Sequence, residues 1–170
     1  LLEKGHIVVA VARDEAKARK LEWFDDVEFY AQDIHDRTLD VGQEFGHPDS
    51  VVHLAWHGLP NYGEMHHIEQ NLPADYLFLK ALIQAGTRRL LVAGTCFEYG
   101  GREGCLTEDM YPQPTNPYAV AKDSLRRFLQ ELQRHETFTL QWARLFYMYG
   151  AGQSPGSILA QLERAIADGE

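Results

Sequence analysis

Five short runs of β-branched and apolar residues alternate along the chain with longer helix-forming stretches. Residues 7–12, 27–31, 50–55, 89–94 and 137–144 read as strands, and residues 14–21, 66–85, 117–134 and 157–167 as helices. Strands separated by helices imply βαβ units, a parallel sheet and right-handed crossovers. The first run is continuously apolar, as expected of a strand buried on both faces. Gly86 is placed to end the second long helix, while Asn116 and Pro117 open the third as N-cap and first residue. In such sheets a ligand lies at the carboxyl ends of the strands, so the residues after each strand are the ones to inspect for chemistry.

Composition narrows the function classes. At 170 residues and 45% hydrophobic content, one compact domain with its own core is expected. The apolar runs fall far short of the roughly 20 residues of a membrane span. Glu3 and Lys4 stand where a signal peptide would need apolar residues. A net charge of −9 argues against nucleic acid as a partner. Cys96 and Cys105 are too few for a disulfide framework, which fits a reducing cytoplasm. The chain opens without Met, Leu1 to Lys4 reads as the last turn of a helix with Gly5 as its closing glycine, and both ends look cut.

The strongest motif is Asn116-Pro117-Tyr118-Ala119-Val120-Ala121-Lys122. Tyr118 and Lys122 stand four apart on a predicted helix and share a face. A tyrosine of ordinary pKa, about 10, is a poor base near neutrality, and an adjacent ammonium favours its phenolate. Two further segments follow strands: Gly94-Thr95-Cys96-Phe97-Glu98-Tyr99-Gly100, whose Thr95 hydroxyl can bond a substrate oxygen, and 143–150.

Together these segments resemble the extended short-chain dehydrogenase/reductases, the NAD-dependent epimerase/dehydratase family. The resemblance covers nearly the whole chain and implies a Rossmann-like, doubly wound α/β sheet. It implies Tyr118 as the acid/base of hydride transfer, Lys122 as the group that holds the nicotinamide ribose and tunes Tyr118, and Thr95 as the polariser of the substrate carbonyl. Asn71 falls where the family has an asparagine, and either supports a proton relay or only bonds local backbone. Asp33-Ile34 matches an Asp-aliphatic pair that contacts adenine, and Leu54-Ala55 belongs to the strand ending on the cofactor. NAD-preferring members place an acidic residue where this chain has Ala12-Arg13. Ala12 leaves room and Arg13 is placed to meet a 2′-phosphate, which favours NADP over NAD; otherwise Arg13 is solvated and Asp14 only caps the next helix.

The residues after Thr95 bear on the reaction. Dehydratases of the family carry Asp-Glu there; Cys96 and Phe97 cannot do that acid/base work, and Cys96 reads best as a small buried hydrophobe. The segments 53–62 and 142–150 are similar to dTDP-6-deoxy-L-talose 4-dehydrogenases, which implies 4-keto reduction or 4-hydroxyl oxidation of a nucleotide-linked deoxysugar. A C4 epimerase and a non-catalytic dinucleotide-binding sensor stay open. Trp56 replaces a usual small residue near the nicotinamide and Tyr147 an asparagine that contacts the sugar nucleotide, so Trp56, His57, Cys96, Phe97 and Tyr147 are the expected substrate-side residues. His66 and His67, with His53 and His57, lack a carboxylate or Cys at ligand spacing, and adjacent helical histidines point to different faces, so no metal is expected. The resemblance implies a homodimer through paired helices, with Phe128, Leu129 and Leu132 facing core or interface; Arg126 and Arg127 read as a solvated face. It also implies that the glycine-rich first strand, its turn and most of the substrate lobe are missing, so that the piece alone is expected to be poorly stable and inactive, with a gap in its sheet.

Overall fold

A computed structural model of the chain describes residues 1–150, 153 and 155–169. Five strands, β1 (Val9–Ala12), β2 (Glu28–Ala31), β3 (Ser50–His53), β4 (Arg89–Thr95) and β5 (Thr139–Leu145), alternate with helices. The helices are α1 (Glu15–Ala18), α2 (Val41–Phe45), α3 (Leu72–Gln84), α4 (Pro117–Leu132) and α5 (Ile158–Asp168). All strand pairing is parallel, as the alternation requires, in the order β1-β2 and, separately, β3-β4-β5. No strand ladder joins the two sheets among the described residues.

The core lies where α3 and α4 pack on β4. Leu79, Leu82 and Ile83 of α3 meet Leu125, Leu129 and Leu132 of α4 and Leu90 and Val92 of β4, and Val41 and Phe45 of α2 close the cluster. Parallel sheets are normally covered on both faces. β1 is not: Ile7 is 94% exposed and lies outside the strand, contrary to a run buried on both faces. With β2 as its one ladder partner among the described residues, β1 has too little around it to bury the whole run.

Two helices differ from the sequence expectation for identifiable reasons. Only Ala18 is buried in the 14–21 stretch, so no apolar face holds more than the turn capped by Asp14. The 66–85 stretch starts as a π-helical turn, His67–Asn71, before α3 begins. Pro73 has no N–H to continue the ordinary pattern, and the Leu72 N–H reaches back to the His67 carbonyl instead. The Asn116 side chain caps α4 by accepting the Ala119 N–H at 2.9 Å, with Pro117 in the first turn as expected.

Candidate active site

Thr95 ends β4 and caps the short 3₁₀ turn Cys96–Tyr99, while α4 brings Tyr118 and Lys122 to the same place. All three are buried: Thr95 is 6% exposed, Tyr118 7% and Lys122 2%. The Thr95 hydroxyl accepts the Phe97 N–H at 3.3 Å, and its nearness to Tyr118 favours the phenolate. Tyr62 and Phe97 pack on the Tyr118 ring at 5.4 and 6.4 Å between centroids, and the Tyr118 N–H donates to the Tyr62 carbonyl at 3.1 Å. Trp56 stands edge-on to the same ring at 5.9 Å.

Burial acts on both members of the pair. Burial raises the pKa of Tyr118, opposed by the neighbouring Thr95 side chain. Lys122 donates to the Ala93 carbonyl at 2.8 Å and lies 4.0 Å from the centre of the Trp56 ring. Burial pulls its own pKa down to about 8, opposed by Asp75 and Glu98.

Glu98 supports Thr95 from beneath. It is fully buried, and its carboxylate accepts the Thr95 N–H at 2.9 Å, the Trp142 indole N–H at 2.9 Å and the Arg144 Nε–H at 2.8 Å. Thr95 and Glu98 thus form a reciprocal capping box, a pairing legible as Thr-x-x-Glu in the sequence. Gly94 is where it is because a Cβ there would lie 2.2 Å from Trp142 Nε1 and 2.6 Å from Glu98 Oε1.

A hollow of about 460 Å³ opens at the carboxyl ends of β1, β2 and β3. Of the expected cofactor residues Arg13, Asp33, Ile34 and Ala55 line it, joined by Trp56 and His57 from the expected substrate side; Leu54, which is 69% exposed, Tyr118 and Lys122 do not. Asp14 spends its carboxylate on the Lys17 N–H at the start of α1, while Arg13 stays exposed. Asn71 is buried and donates to the His57 carbonyl at 2.9 Å, tying down backbone distant in sequence rather than local. Cys96 is half-buried rather than buried, and Tyr147 is 87% exposed beyond β5. Arg126 is not solvated either: it is paired with the buried Asp123 at 2.6 Å, as is Arg127 at 2.7 Å.

The histidines sort themselves differently from their sequence spacing. The His66 and His67 rings lie 4.0 Å apart where the π turn begins. His57 instead meets Asp33 and His35, the donor atoms of the three lying within 4.8 Å of one another along the hollow. Behind them, buried Asp75 of α3 bonds His53 Nε2 at 2.7 Å and faces His35 Nε2 at 3.4 Å.

Burial holds the His53 pKa down at about 4, against the pull of Asp75. As pH falls the unfolded chain takes up this proton near 6.5, whereas the folded chain resists until about 4. Stability is expected to decline through that window by up to about 3 kcal/mol. Urea unfolding at steps from pH 7 to pH 4 checks this, with a flatter profile expected for His53→Gln.

The chain matches the NAD dependent epimerase/dehydratase family over residues 1–170. It is 28% identical to a dTDP-6-deoxy-L-talose 4-dehydrogenase (NAD(+)) of Aggregatibacter actinomycetemcomitans, covering 97% of this chain and 61% of that protein. It is 26% identical to a UDP-glucose 4-epimerase of Bacillus subtilis, covering 84% and 45%. Among solved structures it superposes on MoeE5 in complex with UDP-glucuronic acid and NAD, with a TM-score of 0.80, 28% identity, and 97% and 55% coverage. The chain thus spans between 45% and 61% of the length of these relatives.

Proposed function

The chain belongs to the NAD-dependent epimerase/dehydratase family, and from that premise we propose that it serves an NAD(P)-dependent oxidoreductase acting on a nucleotide-linked deoxysugar. The reaction is 4-keto reduction or 4-hydroxyl oxidation, with Tyr118 as acid/base. The convergence of Thr95, Tyr118 and Lys122 at the end of β4 carries this reading.

The hollow fits a dinucleotide in position and chemistry. It lies at the carboxyl ends of parallel strands, with apolar Ile34 and Ala55 to meet a ring and Arg13 and Asp33 to meet ribose or phosphate. When bound, the dinucleotide supplies the hydride acceptor or donor. The chain's own residues handle the proton. Thr95 donates a hydrogen bond to the sugar oxygen and holds it against Tyr118. In reduction the Tyr118 O–H delivers its proton to that oxygen; in oxidation the phenolate takes the proton away. Lys122 supplies positive charge one helical turn deeper and holds the ribose of the dinucleotide. Asn71 anchors the backbone at His57 beside the site, and Cys96 and Phe97, in place of two carboxylates, leave no acid/base pair for dehydration.

Exposed Arg13 at the rim, with Asp14 committed to a helix cap, supports NADP over NAD. Half-exposed Phe128, which packs on Tyr76 of α3, supports a homodimer through the α3–α4 face. Among the described residues no helix is long and apolar enough to cross a membrane.

The same Thr95–Tyr118–Lys122 set serves a C4 epimerase, and the relatives include one. A panel of dTDP- and GDP-linked 4-keto sugars with NADH and NADPH separates the readings. Net consumption of reduced cofactor, larger with NADPH, is expected. A stereoisomer formed without net turnover identifies the epimerase, and tight dinucleotide binding with no turnover of any sugar overturns the enzyme reading in favour of a sensor.

A further inference from the structure

Lys122 is almost wholly buried and donates to the Ala93 carbonyl at 2.8 Å. It also sits over the face of Trp56, 4.0 Å from the ring centre. That indole is not free to turn. Its N–H donates to His67 Nδ1 at 3.0 Å, and the two rings stack 22° from parallel. An indole N–H can only donate, so His67 Nδ1 carries a lone pair. The proton then sits on Nε2, which donates to the Asn61 carbonyl at 3.0 Å. The Asn71 amide lies 3.3 Å from the same Nδ1. A fixed line of contacts therefore runs from the 57–61 loop through a single tautomer of His67 and through Trp56 to the ammonium.

We infer that Trp56 is a positioning residue for Lys122: His67 fixes the indole, and the indole face holds the ammonium in place and in its charged form. The role given to Lys122 rests on the oxidoreductase reading; the seat itself does not. A cation over an indole is stabilised by the negative face of the ring, most strongly where water is excluded. The site needs such help, because burial pulls Lys122 toward the neutral amine. The other groups that act on it are Asp75 of α3 and Glu98 after β4, which favour the charge. His53 of β3 and His67 of the π turn would oppose it if protonated, and Tyr118 stands one turn earlier on its own helix. Burial keeps both histidines below the ordinary imidazole range, so near neutrality they add no positive charge.

The test follows Lys122 itself by NMR on protein carrying ¹³C-labelled lysine, with Lys122→Met identifying the signal. In the wild-type protein the εCH₂ protons of Lys122 are expected upfield of the other lysines, shifted by the ring beneath them. Trp56→Leu should abolish that shift and lower the Lys122 titration midpoint by about one unit, a tenfold loss of proton affinity. Trp56→Phe, which keeps an aromatic face, should retain most of both. An unshifted wild-type signal, or a titration unchanged in folded Trp56→Leu, overturns the inference; the wild-type spectrum decides should that variant not fold. These readouts need no turnover, so their failure is distinct from failure of the oxidoreductase reading. Where turnover is measured, the high-pH limb of kcat should move down by the same unit in Trp56→Leu and stay in place in Trp56→Phe.

Discussion

Tyr118→Phe is expected to slow hydride transfer by about 10²- to 10⁴-fold while leaving dinucleotide affinity within about twofold of the original, the range expected for loss of a positioned acid/base. The substitution removes one oxygen. The ring keeps its neighbours, Tyr62, Phe97, Trp56 and His67, so the wall of the site stays in place. The dinucleotide hollow has no wall from this residue. The sign of the pH dependence follows from the raised pKa of Tyr118: near neutrality the phenol keeps its proton. Reduction, which needs that proton, should run well at neutral pH, whereas oxidation should speed up as pH rises. Single-turnover kinetics in both directions measure both effects. A Tyr118→Phe enzyme that retains its rate in either direction would remove Tyr118 from the acid/base role.

Glu98→Ala should lower folding stability by about 3–5 kcal/mol, the range for breaking a buried ion pair by removing one partner. Three donors converge on this carboxylate: the backbone of Thr95, the indole of Trp142 and the guanidinium of Arg144. Arg144 keeps bonds to the Tyr99 hydroxyl and the Glu108 carbonyl, both at 3.1 Å, but these are neutral groups. Alanine therefore leaves a nearly buried cation without its counter-charge and two N–H groups without acceptors. Glu98→Gln retains an acceptor oxygen for Thr95 and Trp142 but loses the charge and the acceptor for the Arg144 Nε–H, so it should fall between alanine and the original protein. Urea unfolding of the three proteins gives the order directly. A loss below about 1 kcal/mol for alanine would mean that water or a rearranged Arg144 replaces the carboxylate.

The alternation of runs was enough to read parallel strands and crossover helices, because period and β-branching are local properties. Asn116-Pro117 likewise marks the start of α4 by local capping chemistry, and the four-residue spacing places Tyr118 and Lys122 on one face. What spacing cannot convey is which neighbours each side chain meets. Lys122 turns to the Ala93 carbonyl and Trp56, groups 29 and 66 residues away in sequence, and burial then decides both pKa values. The Asp33–His35–His57 cluster and the His53–Asp75 pair are assembled from separate strand ends and a helix, so neither leaves a spacing signature. Glu98 is a different matter. Its Thr-x-x-Glu spacing is a local capping signature, legible from Thr95 alone. The π turn before α3 was also signalled, by Pro73.

The separation of β1-β2 from β3-β4-β5 has a consequence for cooperativity. No ladder of backbone hydrogen bonds joins the two sheets among the described residues, and the main core cluster is centred on the second. The free energy for exposing backbone amides should therefore differ between the halves. Amides of Val9–Ala12 and Glu28–Ala31 should exchange through low-energy partial openings, and those of β4 only near the global limit. Because the hollow is walled by both sheets, the arm carrying Arg13 and Asp33 can fluctuate while the Thr95–Tyr118 end stays assembled. Ligand entry on that side would then be governed by a local opening equilibrium, largely independent of the stability of the catalytic end.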